Sequence, residues 1–359
     1  MEWAKTCSQA RFNLATSGLT NVPFAEFPVR LEELEITAAD GYGYRPLLER
    51  LAHHTGAQQE CIVTASGTSM ANHLAMAALL DPGDEVLIEQ PTYGLLLDVA
   101  HYLRARVRRL QRRFENGFAV DLNELEKSVS AKTRLIVLTN LHNPTGVLVP
   151  NETIRAIGEI AARHGTRVLL DEVYLEVLFD ERAPGSFPIG ENFETNPFIV
   201  TSSLTKAYGL SGLRCGWILA SPELARRMWL LNDLFAASAA HTAERMSVMA
   251  LDHLHEFRAR AQATLQANRK LLDEFLDGRS DLECVLPSAG TIAFPGLIHG
   301  DAETFFNLLR EKYETTVVPG RFFEMPQHFR IGIGGDTSEL RGGLERMNAA
   351  LDEFARACR

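Results

Sequence analysis

A lysine taken at random is a solvated surface group, but Lys206 has neighbours that change its meaning. It follows the apolar run Phe198-Ile-Val-Thr-Ser, sits beside Ser202, Ser203 and Thr205, and precedes Gly209, Gly212 and Gly216. Glycines there let the backbone approach a ligand closely. A lysine held in a partly desolvated pocket becomes a nucleophile toward aldehydes. Arg214 adds a planar fork suited to a phosphate.

Three more polar positions close apolar runs. Thr64-Ala-Ser-Gly-Thr-Ser-Met reads as a strand turning into a helix. A helix start offers free N–H groups to an anion, and Gly67, Thr68 and Ser69 stand there. Asn143 lies in the tight turn Asn140-Leu-His-Asn-Pro-Thr-Gly. Asp171 ends the run Arg167-Val-Leu-Leu-Asp, where an unpaired carboxylate is costly and calls for a cationic partner. Each signal alone reads as ordinary turn or fold chemistry. Together they supply a phosphate cradle, an anion for a protonated pyridine nitrogen, an amide near a phenolate and an imine-forming amine. Pyridoxal 5′-phosphate (PLP) needs all four.

The elements that must position these residues are legible as short apolar runs alternating with helical patterns. Cys61-Ile-Val-Thr-Ala, Glu85-Val-Leu-Ile-Glu, Thr133-Arg-Leu-Ile-Val-Leu-Thr, Arg167-Val-Leu-Leu-Asp, Phe198-Ile-Val-Thr-Ser and Gly216-Trp-Ile-Leu-Ala read as strands buried on both faces. Met70, Ala71, Leu74, Ala75, Ala78 and Leu79 recur at helical spacing. A second helix is expected from Asn151, as its cap, to about His164, with Gly165 past its end. The basic run Arg104–Arg113 reads as a strand with a solvated face. This alternation predicts an α/β domain with a mostly parallel sheet, whose ligands sit beyond the carboxyl ends of the strands. One long connector helix is expected over about Glu244–Leu276, and a smaller α+β domain after it.

The chain resembles the class I/II aminotransferases, the fold-type I PLP enzymes, over roughly residues 10 to 345. The resemblance rests on Asn143-Pro-Thr-Gly, Asp171-Glu-Val-Tyr, and Ser203-Leu-Thr-Lys followed by Gly-Leu-Arg-Cys-Gly-Trp. It implies a large PLP-binding domain with a mostly parallel central sheet between helices over residues 40–275. Residues 1–39 would join 276–359 as the small domain. It implies amino-group transfer from an amino acid to a 2-oxo acid, through a Lys206 aldimine and pyridoxamine phosphate. Lys206, Asp171 and Tyr174 would be catalytic. Gly67, Thr68, Ser69, Ser203 and Arg214 would hold the phosphate, Tyr93 would stack on the ring, and Asn143 and Tyr174 would bond its phenolic oxygen. Arg330, in His328-Phe-Arg-Ile-Gly-Ile, would clamp the substrate carboxylate, with Gly18 and Asn143 bordering it. Tyr42, or failing it Tyr44, would cross a homodimer interface to the partner's site. Phe235–Thr242 is a candidate for a loop meeting the partner, and His241 either faces substrate or satisfies a local hydrogen bond. Leu141 and Thr205 depart from the family pattern, and no second arginine matches a dicarboxylate clamp.

The 359 residues are 46% apolar and 23% charged, which suits a globular protein of more than one core. A net charge of −10 argues against nucleic-acid or anionic-membrane binding. Cys7, Cys61, Cys215, Cys284 and Cys358 are scattered without metal-site spacing, so no metal is expected, and reduced thiols in a cytoplasmic protein are. No membrane span or signal peptide is read. The same constellation serves β- or γ-eliminating lyases and cyclases, which remain the alternative. A non-catalytic sensing module is a distant one; such modules are fused to a helix-turn-helix, and no basic segment here resembles it.

Overall fold

A computed structural model describes residues 2–37, 41–178 and 196–357; Cys358 lies outside them. Among the described residues seven strands form one sheet, in the order Ile62–Ser66, Cys215–Leu219, Phe198–Ser203, Arg167–Asp171, Thr133–Thr139, Glu85–Gln90 and Arg106–Gln111. Every pairing is parallel except the two made by Cys215–Leu219. Six carboxyl ends and the start of the one reversed strand therefore share an edge. That edge collects Ser66, Thr139, Asp171, Ser203 and Arg214.

The central strands are buried on both faces because alternate side chains enter different cores. Leu87, Ile136, Leu138, Val168, Leu170 and Val200 pack on one side. Val86, Ile88, Leu135, Val137, Leu169 and Ile199 pack on the other, against helix Gly67–Leu79. A third core gathers Leu14, Leu272, Phe305, Phe329, Ile331 and Leu344 around short strands at Thr315–Thr316, Val318–Pro319 and Phe329–Gly332. The N-terminal segment enters it, with Phe12–Asn13 pairing parallel to Thr315–Thr316.

Three expectations are corrected. The connector is two helices, His241–Asp252 and Leu254–Asp277, broken at His253 (φ −111°, ψ 20°). The His253 ring bonds Glu256 in the first turn of the second helix, while apolar spacing continues across the break. Asn151 is the first residue of its helix rather than the cap. Pro150 holds that place, its fixed φ suiting the entry. Gly165 does end the helix in the left-handed region. The basic strand is an edge strand with exposed Arg106 and Arg108, but Arg112 turns inward and is buried against Glu89. Among the described residues, no helix is long and apolar enough to cross a membrane, and no cluster could hold a metal ion.

Candidate active site

A cavity of about 950 Å³ opens at this strand edge, in the upper range for small-molecule sites. Lys206, Asp171, Tyr174, Asn143, Tyr93 and Arg330 line it. So do Thr68, Ser69, Ser203, Arg214 and Gly18. Gly67 lies directly behind Arg214. A Cβ there would collide with Arg214 Nη2, and Gly67 has φ +75°. The Arg214 carbonyl accepts the Gly67 N–H at 2.8 Å, and its guanidinium donates to the Ser66 carbonyl at 3.0 Å. Thr68 donates to Ser203 at 2.8 Å, joining the helix start to the Lys206 segment. The result is a cluster of donors around one helix N-terminus, which fits a phosphate.

Asp171 is buried at the floor. Asn72 donates to its carboxylate at 2.7 Å, and the Val173 N–H does so at 3.1 Å. Burial still outweighs these bonds and the charge of Lys206, pushing the carboxyl up to about 6. Among the described residues no cation lies within ion-pair distance of it. A protonated ring nitrogen would relieve that deficit. Asn72 in turn accepts from Thr201 at 2.6 Å.

Lys206 Nζ donates to Ser17 Oγ at 3.0 Å, and Tyr174 donates to the same oxygen at 2.8 Å. Tyr93 starts helix Gly94–Tyr102 and is bonded by Ser69; burial pushes its phenol up. Arg330 is buried, donates to Asn143 Oδ1 at 2.9 Å, and leaves Nε without a partner. Burial lowers its pKa, and no described carboxylate pairs with it. A buried guanidinium lacking an anion suits a substrate carboxylate.

Two predicted positions stay outside. Tyr42 is exposed and donates to Asp233 at 2.9 Å, while Tyr44 receives a bond from Arg245. Neither lines the cavity of its own chain. His241 is buried edge-on against Tyr44, with Glu35 and Glu244 carboxylates within 3.6 Å, so it too stays outside this cavity. Sequence reasoning missed Ser17, Asn72 and Thr139. Asn72 carried a signal: it is polar in an alanine-rich helix, four residues after Thr68 and hence on the same face. Thr139 carried one as well, since it closes the apolar run Thr133–Thr139; Ser17 carried none.

The sequence model of the family "Aminotransferase class I and II" matches residues 37–347. The chain belongs to this family. Its cofactor is pyridoxal 5′-phosphate, and the residues above fit that group. Capreomycidine synthase of Streptomyces vinaceus is 29% identical over 98% of this chain and 92% of its own length. Arginine–pyruvate transaminase AruH of Pseudomonas aeruginosa is 29% identical over 88% of the chain and 82% of its own. A crystal structure of a PLP-dependent aminotransferase from Streptococcus suis superposes with a TM-score of 0.87 at 26% identity, covering 96% and 94% of the two chains. Relatives of this aminotransferase family member thus carry transaminase and synthase names alike.

Proposed function

We propose that this protein transfers an amino group from an amino acid to a 2-oxo acid, with Lys206 as the covalent anchor of PLP. The observation that carries the reading is the shared cavity of Lys206, buried Asp171 and the anion-free guanidinium of Arg330. When bound, the cofactor supplies an electron sink for the carbanion formed at the substrate Cα. Asp171 would hold the ring nitrogen protonated. Gly67, Thr68, Ser69, Ser203 and Arg214 would hold the phosphate. Asn143 and Tyr174 would bond the phenolic oxygen, and Tyr93 would stack on the ring. Arg330 orients the substrate through its carboxylate, beside Gly18. Displaced by the incoming amine, Lys206 would take the substrate Cα proton at Nζ. Ser17 and Gly18 line the same cavity as Lys206.

The protein is further read as a cytoplasmic homodimer. Tyr42, Tyr102, Leu230, Leu234 and Phe235 are all exposed. The Tyr42 ring lies 6.0 Å from Trp229, and His73 stands between Tyr102 and Phe235 at 5.9 and 5.1 Å, so the exposed aromatics form two clusters. Tyr42 in the first of these suits a role in the partner's site. The division into residues 40–275 and 1–39 with 276–359 belongs to the same reading, supported by the separate core around Phe305 and Phe329.

The test mixes cofactor-loaded protein with single amino acids and follows the cofactor spectrum. Conversion to the aminated cofactor with release of an oxo acid is expected, and borohydride must fix the label on Lys206. A broad panel without conversion overturns the reading. The second reading is a lyase or cyclase on the same scaffold, favoured by the near full-length relative named a synthase. Ammonia and an oxo acid released without cofactor conversion would establish a lyase, and a cyclic amino-acid product a cyclase.

A further inference from the structure

The Ser17 hydroxyl is the only side-chain atom among the described residues that hydrogen-bonds Lys206 Nζ, and it also receives the Tyr174 hydroxyl. Ser17 is buried, 189 positions before Lys206 in the chain. Its backbone is fixed from three directions. The Thr291 hydroxyl donates to the Ser17 carbonyl at 2.7 Å. The Leu19 N–H donates to the Lys206 carbonyl at 2.9 Å, and the Thr20 N–H to the Gly334 carbonyl at 2.9 Å. At Gly18 an added Cβ would stand 3.3 Å from Lys206 Cδ and 3.4 Å from its Cα, so the two segments pack closely. A hydroxyl is thus built into place against the amine.

We propose that Ser17 is a positioning residue that aims the Lys206 amino group during proton abstraction. The proposal rests on Lys206 being the base of the reading above. A neutral amine has two N–H bonds and one lone pair. With one N–H donated to Ser17 Oγ, the nitrogen cannot rotate freely: the lone pair is kept off the Ser17 side and confined to the two remaining staggered positions. The lone pair forms the new N–H bond, the Cα–H bond breaks, and its electrons stay on the substrate carbon. Ser17 neither gains nor loses a net proton. Its oxygen remains an acceptor for the ammonium that forms, and a hydrogen bond to a charged group is stronger than one to a neutral group.

The experiment compares wild type, Ser17→Ala and Ser17→Thr, with ordinary and Cα-deuterated amino acids. The alanine variant keeps all the backbone bonds named above, so its melting temperature should be unchanged and its Kd for PLP close to that of wild type. Its kcat should fall roughly 10- to 100-fold, the loss of one charge-assisted bond at the reacting atom. Its deuterium isotope effect should rise while KM for the amino acid stays unchanged. Ser17→Thr keeps the hydroxyl and should restore most of the rate. An unchanged kcat and isotope effect in Ser17→Ala would overturn the proposal, as would a loss of rate matched by weaker PLP binding. A wild type that removes no Cα proton from any amino acid overturns the functional reading instead, and the two failures are distinguishable.

Discussion

Glu89 holds Thr139 twice at the edge of the sheet: one Glu89 carboxylate oxygen accepts the Thr139 N–H at 2.7 Å and its hydroxyl at 2.6 Å. The other Glu89 oxygen accepts Arg112 at 2.8 Å, with both charged side chains fully buried. Thr139 Oγ1 then accepts the Asn143 N–H at 2.8 Å, and Asn143 accepts Arg330. A buried ion pair thus supports the turn that carries Asn143 to Arg330. Glu89→Gln leaves Arg112 buried without its anion and should cost on the order of 3–5 kcal/mol. Adding Arg112→Met should recover part of that loss. Urea unfolding of the single and double variants measures the coupling, and strictly additive losses would contradict the pair.

Gly67→Ala tests the phosphate cradle. The new Cβ meets Arg214 Nη2, and φ +75° is unfavourable for alanine by roughly 1–2 kcal/mol. The flexible guanidinium must swing aside, so Kd for PLP should rise about 10-fold or more while the fold survives. Equilibrium dialysis measures it, and unchanged binding would remove Gly67 and Arg214 from the cradle.

Lys206, Asp171 and Asn143 are legible because each follows a continuous apolar run, and strand ends in a parallel sheet share an edge. The reversed strand before which Arg214 sits cannot be told from a parallel one by its apolar run. Glu89 and Arg112 escape for a different reason. Arg112 lies in a basic run that looks solvated throughout; it stands just past the strand with the same parity as exposed Arg106 and Arg108, and only its tertiary pairing with buried Glu89 sets it apart. The break at His253 is invisible because helical spacing persists across it. Ser17 is the hardest case: an N-terminal serine meets Lys206 only through tertiary packing, and no local pattern encodes that approach.

Arg330→Lys separates substrate orientation from cofactor binding. Lysine cannot make the fork that bonds Asn143 and a carboxylate together. KM for the amino acid should rise roughly 10- to 100-fold, with Kd for PLP nearly unchanged. A variant that loses cofactor instead would show Arg330 to be part of the cofactor pocket.

Asp171 gives the protein a pH signature. Its carboxyl titrates at about 6 in the fold, above its ordinary 3.8, because burial disfavours the charge. Between those values the cofactor-free native state binds more protons than the unfolded chain. Stability from this residue therefore falls as pH rises from about 4 to 6 and stays reduced above, by on the order of 3 kcal/mol. An asparagine side chain does not titrate, so the Asp171→Asn variant should gain on wild type by that amount between about pH 4 and pH 7. Urea unfolding of both cofactor-free proteins across this range measures the difference. On the proposed reading PLP removes the slope in wild type, because a protonated ring nitrogen pairs with the carboxylate. Parallel pH profiles for the two cofactor-free proteins would mean that Asp171 carries no unrelieved charge, and the argument for a cationic ligand above it would fail.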